Sequence, residues 1–265
     1  MTLNEKIWKQ YCAGLDFNNK LRLVENVANN ENFFIGKQWE GVVSNGLPTP
    51  VFNILKQIVL HQVATITSDN FTISATPLRA SANDKRLEMA SQVVNSELRA
   101  LFKVNKLPNL SRIMMRNAAV DGDGCMFTYF DPDAPTGLDG IKGAIKTEIV
   151  DNTRVLFGNP NSRNVQSQPY IIIWKRRQIC DVKDEARANG LSEEEIQNIS
   201  ADTDDNNSRM DSYVDDKCTV LTKLWRDKKT GTIWGCEVTK GAVIRKPYDA
   251  RIKSYPVTWI CWDYV

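Results

Sequence analysis

The spacing of apolar residues changes its period at Asp121-Gly-Asp-Gly, and this change constrains the fold more than any other feature of the chain. Before it, apolar residues recur every three or four positions, as in Ile7, Tyr11 and Leu15 and again in Phe17, Leu21, Val24 and Ala28. That is the period of helices with one buried face. After it come runs rich in β-branched and aromatic residues, set between turn residues: CMFTYF, GAIKTEIV, TRVLFGN and PYIIIWKR. Those read as strands. A chain that is helical first and extended afterwards predicts an α+β fold, with N-terminal helices packed on a mostly antiparallel β-sheet. The expected organisation is a mainly helical part over 1–124 and a β-rich part over 125–265, together forming one domain.

Within the helical part, residues 4–30 are expected to form two helices separated at Gly14. A further helix spans 53–67, and an amphipathic one spans 83–104 with Leu87, Ala90, Val94, Leu98 and Leu101 on one face and Ser81 or Asn83 as its cap. Pro108 suits the first turn of a helix over 108–121. Phe71, Ile73 and Ala75 alternate as a strand that ends near Pro77. In the β-rich part, a short helix is expected from Cys180 to Ala188, stopped by Gly190. A second is expected from Ser192 to Ile199, with Ser192 and Glu195 making a capping box. Lys228 to Gly231 is the turn of a hairpin joining Cys218–Trp225 to Thr232–Thr239, and extended chain follows at Ala242–Arg245 and Val257–Trp262. Residues 200–216 are polar and acidic, with too little apolar surface to bury, and read as a surface loop.

One connector stands out. Asn32 to Ile58 places Phe33, Phe34 and Trp39 among Gly36, Gly41 and Gly46, then runs through Pro48 and Pro50 into a helix with Asn53 as its N-cap. Aromatics of this size predict an ordered loop packed against a partner.

Composition narrows the function. The chain has 265 residues, 42% of them hydrophobic and 25% charged, with 34 Lys+Arg against 32 Asp+Glu and a net charge of +2. This is the make-up of an ordinary globular protein, without the field that marks general nucleic-acid binding. No run approaches the roughly 20 apolar residues that span a bilayer, and no secretory leader is visible. The six cysteines are widely spaced and form no CxxC pair, so buried free thiols are expected in place of a zinc knuckle or disulfide framework.

Catalytic signals are thin. The one histidine, His61, lies in an apolar helix, where a structural role is expected. Asp121 and Asp123 begin like a calcium loop, but the position-five, -six and -twelve residues are Cys125, Met126 and Pro132, so a helix-to-strand turn accounts for them. Asp131 and Asp133 are expected in a second acidic turn at the far end of the Cys125–Phe130 strand, too distant to share a metal. Neither a phosphate-binding loop nor a dinucleotide fingerprint is present. No enzymatic activity and no cofactor are expected. An acidic block (Glu193 to Glu195, Asp202, Asp204, Asp205, Asp211, Asp215, Asp216) contrasts with basic residues over 223–253 and at Lys175, Arg176 and Arg177. These read as solvated surface, or as charge pairing between neighbouring subunits.

The order of motifs resembles the N-terminal wing portion of tailed-bacteriophage portal proteins. It starts with Phe33, Phe34, Gly36, Gln38, Trp39, Glu40 and Gly41, then Pro48 and Asn53 on the following helix. Next come Ala75-Thr-Pro77, a pair of helices, and the Gly122-Asp123-Gly124 turn into a strand ending at Asp131. Later, Val155 to Pro160 (VLFGNP) is similar to the family's Phe-Asx-Pro strand end, and Ser254-Tyr255-Pro256 precedes a Trp-bearing strand. The chain closes on an apolar segment, SYPVTWICWDYV, and is expected to be truncated before the family's stem and clip.

The resemblance implies a structural subunit of a homo-oligomeric ring, a dodecamer in the family, at the capsid vertex of the virion and in the host cytoplasm during assembly. The partners it implies are capsid and scaffolding proteins, the packaging terminase, tail-connector proteins and the double-stranded DNA passing through the channel, with no membrane. The alternatives are a metal-dependent nuclease built on Asp121 or Asp123 and a plain nucleic-acid-binding module.

Overall fold

The structure is a computed structural model that describes residues 2–68, 73–77, 85–135, 140, 142–162, 164–202 and 216–262. Its helices are α1 (Leu3–Lys20), α2 (Leu23–Ile35), α3 (Ile54–Ile66), α4 (Lys85–Val104), α5 (Leu107–Asp121), α6 (Ile179–Ala188) and α7 (Glu193–Gln197). Its strands are β1 (Asp123–Pro135), β2 (Lys142–Val150), β3 (Val155–Phe157), β4 (Tyr170–Gln178), β5 (Lys217–Arg226), β6 (Ile233–Val238), β7 (Val243–Asp249) and β8 (Val257–Cys261). The strands form two antiparallel sheets, of order β2-β1-β8 and β3-β4-β5-β6-β7, so the fold is α+β.

Two compact units divide the chain: Met1–Val51 with Val150–Val257, and Phe52–Ile149 with Thr258–Val265. The sequence changes character near residue 124, yet the compact units are interleaved along the chain, because the N-terminal helices and the large sheet share a core.

In the first unit, β4 explains the run YIIIW. Ile171, Ile172 and Ile173 are all fully buried, which an amphipathic strand would not allow. One face of the sheet (Leu156, Ile172, Trp174, Leu221, Cys236, Val238) packs on Ile7 and Tyr11 of α1. The other buries Cys218, Val220 and Ile244 against Val182 and Ala186 of α6 and Ile196 and Ile199 at α7. Burying each such aliphatic side chain contributes roughly 2 kcal/mol. The register Trp174↔Leu221↔Val238 lines up the α1-facing residues across three strands. Gly14 does not break the first helix. It lies inside α1, where a Cβ would stand 2.9 Å from Leu156 Cδ1, so glycine here permits close approach of the helix to β3. The break falls instead at Leu21 and Arg22, the latter with φ 51°.

In the second unit α3 and α4 pack on α5, and α5 packs on β1. Pro108 sits in the first turn of α5, as its fixed φ favours. The stretch 73–77 forms no strand ladder. Its backbone is held by a side chain: Ala75 N–H donates to Asn95 Oδ1 (2.6 Å) and Asn95 Nδ2 donates to the Ala75 carbonyl (3.2 Å). Phe71, Leu78, Ser81 and Asn83 lie outside the described residues, as does the acidic stretch 203–215. The strand expected to end at Asp131 runs on to Pro135, so Asp131 is a strand residue and no acidic turn closes it there. Asn105 pairs with β2 as Asn95 does with Ala75, donating to the Ile145 carbonyl (2.9 Å) and accepting from Thr147 N–H (3.0 Å).

Candidate functional site

The two late motifs, VLFGNP and SYP, meet in space. β3 ends at Phe157, and Gly158 N–H donates to the Tyr170 carbonyl at 2.9 Å. A Cβ on Gly158 would lie 2.8 Å from Pro169 and Tyr170, so this turn accepts only glycine without movement. Beyond it, Asn159 N–H donates to Gln168 Oε1 (2.9 Å), while Gln168 Nε2 donates to the carbonyls of Asn159 (3.0 Å) and Ser162 (2.8 Å). Gln168 is only 3% exposed and is held again through its own carbonyl, which accepts the Tyr255 hydroxyl at 2.9 Å.

Two residues earlier, Gln166 grips Tyr255 directly. Its Nε2 donates to the Tyr255 carbonyl (3.1 Å) and its Oε1 accepts Tyr255 N–H (2.8 Å). Arg226 completes the hub. Its guanidinium donates to the carbonyls of Lys253 (2.6 Å) and Gln166 (3.3 Å) and lies 5.6 Å from the Tyr255 ring centroid. Burial pushes the Tyr255 hydroxyl above its ordinary pKa. Gln166, Gln168 and Arg226 were not foreseen from the sequence. They sit in a polar stretch and at a strand end without periodicity, and what they bind is remote along the chain.

The early motif is a self-braced loop. α2 carries Phe33 and Phe34 and ends at Gly36 (φ 89°), whose N–H donates to Phe33 O while Lys37 N–H donates to Asn32 O, a glycine C-cap. Trp39 Nε1 (3.0 Å) and Gln38 Nε2 (3.4 Å) both donate to the Pro50 carbonyl, closing the loop around Pro48. The aromatic packing expected of it is found only in part: Phe34 is half-buried, whereas Phe33, Trp39, Val42, Val43 and Leu47 are exposed, Val43 by 83%. A hydrogen-bonded neck holds the loop and leaves its apolar groups in water. Asn53 caps α3 through Oδ1, accepting Lys56 N–H at 3.1 Å.

Gly122, Asp123 and Gly124 form the helix-to-strand turn. Gly122 has φ 89° and caps α5, and its carbonyl accepts Trp262 N–H at 2.9 Å. A Cβ on Gly124 would fall 2.7 Å from the Met114 carbonyl, so β1 leaves α5 in close contact. Asp131 accepts Lys146 Nζ at 2.6 Å, and this bond is the first cause of that lysine's raised pKa. The signature residues therefore fall at several places: the Gln166–Tyr255 hub, the Trp39 loop with the Asn53 cap after it, the Ala75–Asn95 pair, the Gly122 turn, and Asp131 on β1 against Lys146.

Of the residues weighed for catalysis, Asp121 ends α5 and Asp123 begins β1. His61 is exposed on α3. Among the described residues, no group of three or more His, Cys, Asp or Glu is close enough to hold a metal ion. Among the same residues, no helix is long and apolar enough to cross a membrane. All six cysteines are free; Cys125, Cys218 and Cys236 are buried as expected, whereas Cys12 and Cys180 are exposed and Cys261 is half-buried. The basic cluster at the end of β4 is paired within the chain. Arg176 binds the Asp202 carboxylate, the Asp202 carbonyl (2.7 Å) and Thr219 Oγ1 (3.2 Å), and Arg177 binds Glu185 (2.6 Å).

Large apolar side chains in water concentrate on two further elements. α4 buries none of its residues, and α3 buries only Val63. Ile54, Leu55 and Ile58 of α3 and Met89, Val93 and Val104 of α4 are all exposed. Such a surface suits assembly. No family model matches the chain, and no curated protein matches it.

Proposed function

We propose that the chain is the wing portion of a tailed-bacteriophage portal subunit, a structural protein that works by assembling with copies of itself. In this reading the ring sits at one vertex of the capsid and gives DNA its way in and out. The packaging terminase and the tail connector dock on it, and capsid and scaffolding proteins surround it. No residue performs catalysis and no cofactor is used.

The observation that carries the reading is the meeting of VLFGNP and SYP. These motifs belong to the ordered series by which the chain resembles portals, and Gln168 ties them together, bonding Asn159 through its side chain and the Tyr255 hydroxyl, 87 positions on, through its carbonyl, while Gln166 bonds the Tyr255 main chain. A chance likeness of two short strings gives no reason for them to share one hydrogen-bonded hub. The exposed apolar surfaces on α3, α4 and the Trp39 loop also suit a subunit that is completed by its neighbours.

Electron microscopy of the purified chain, with its mass by light scattering, tests the reading. Rings with a central opening and one stoichiometry are expected. A monodisperse 30.0 kDa monomer at every concentration, or a closed dimer, would sink it.

A further inference from the structure

We infer that two copies of this chain meet head to tail, the α2–loop segment (Leu23–Val51) of one seated on the exposed α3–α4 surface of the next. The inference rests on the reading of the chain as an assembling subunit and names the surfaces that make the contact.

α3 is apolar on nearly all sides, yet only Val63 is buried. Helices of that kind belong inside protein or membrane, and 13 residues are too few to cross a bilayer. A protein surface must therefore cover it. The Trp39 loop offers such a surface. Val42, Val43 and Leu47 project into water from a loop closed by the two bonds to the Pro50 carbonyl and by turns in which Val42 N–H donates to the Trp39 carbonyl and Leu47 N–H to the Ser44 carbonyl. A loop ordered in advance loses little conformational freedom on docking.

Charge favours this pairing over like with like. Leu23–Val51 carries Glu25, Glu31 and Glu40 against Lys37, whereas α3 and α4 carry Lys56, Lys85, Arg86, Arg99 and Lys103 against Glu88 and Glu97. Two α3–α4 surfaces would repel each other, and one acidic and one basic surface attract. Area also suffices: five or six half-exposed apolar side chains offer roughly 500 Å², and their polar neighbours extend this toward the roughly 800 Å² per partner of a stable contact. Because the two surfaces differ, each copy keeps one of each free after the first contact. Such a contact closes into a ring or continues as a filament.

Sedimentation velocity at roughly 1–100 µM tests this with two variants at exposed positions, Val43→Asp in the loop and Ile58→Glu on α3, each checked for an unchanged thermal melt. The wild-type chain should grow beyond the monomer with concentration, and high salt should weaken it. Each variant alone should associate at least tenfold more weakly. An equimolar mixture of the two should recover a dimer and stop there, because each variant keeps the surface the other has lost.

The inference is overturned by a wild-type chain that stays monomeric throughout, including one that instead floats with anionic lipid vesicles. Variants that assemble like wild type overturn it as well, as does a mixture of folded variants that stays monomeric. Rings that survive both substitutions would sink this contact and leave the portal reading standing. Head-to-tail chains that never close would support the contact and sink the ring.

Discussion

The side-chain amide of Gln168 pairs with the main chain of Asn159 in both directions, accepting its N–H at 2.9 Å and donating to its carbonyl at 3.0 Å. Gln166 does the same to Tyr255, Asn95 to Ala75, and Asn105 to the edge of β2. An amide has the donor and acceptor of a peptide group, so each of these side chains stands in for a neighbouring strand where none is available.

Gln168→Leu should therefore cost about 2 kcal/mol, since it keeps the bulk of a buried side chain and takes the partner from the part-buried Asn159 N–H and from two carbonyls. Gln166→Ala, at a more exposed position, should cost about 1 kcal/mol. Urea unfolding checks both: the midpoint should fall in that order with the slope unchanged. Equal, small effects would mean that water replaces the amide at both sites.

What was legible in the sequence was what is decided locally. Asn53 and the Ser192–Glu195 box cap their helices as read, and Pro108 opens α5. The Lys228–Gly231 turn joins β5 to β6, with Asp227 bonding the Lys229 and Thr230 N–H groups. What was misread depends on distant partners. Gly14 has the composition of a helix break, and only the position of Leu156 shows it to be a contact. Trp39 has the size of a core residue, and local pattern does not reveal that its indole binds a carbonyl while its ring stays wet. The glutamines of the hub carry no local signal, because what selects them is an unpaired backbone segment far along the chain.

Glu237 supplies a pH prediction. It faces Arg245 in the β6–β7 register, near Lys175 and Arg177 of β4 and Glu185 of α6, and its carboxyl pKa is raised, first by burial and then by Glu185, against the pull of Arg177, Arg245 and Lys175. A folded pKa above the unfolded one means that the folded chain holds this proton more tightly. The resulting stability is complete below the ordinary carboxylate range and is lost as pH rises through the raised value. Glu237→Gln stays neutral, so its melting temperature should match wild type in acid and exceed it increasingly toward neutrality. Melts from about pH 4 to about pH 8 check this. A gap that is constant, or that favours wild type at neutral pH, would show that the charged form is the better-held one.

Arg176 and Arg187 separate buried from exposed ion pairs in one chain. The Arg176 side chain is 6% exposed, and besides the Asp202 carboxylate it reaches the Asp202 carbonyl and Thr219 Oγ1. The same carboxylate accepts Thr219 N–H at 3.0 Å, so Asp202 links the guanidinium to β5. Asp202→Asn leaves a guanidinium out of water without its counter-charge and should cost about 3 kcal/mol. Arg187 pairs with Asp184 (2.8 Å) and Glu193 (3.2 Å) in solvent, where water and salt replace the partners readily, and Arg187→Ala should leave the unfolding midpoint unchanged. The double variant should then lose no more than Asp202→Asn alone, because the two pairs share no residue. Urea midpoints of the three chains decide it, and a large loss at Arg187 would mean that its pairs with Asp184 and Glu193 hold α6 and α7 in place.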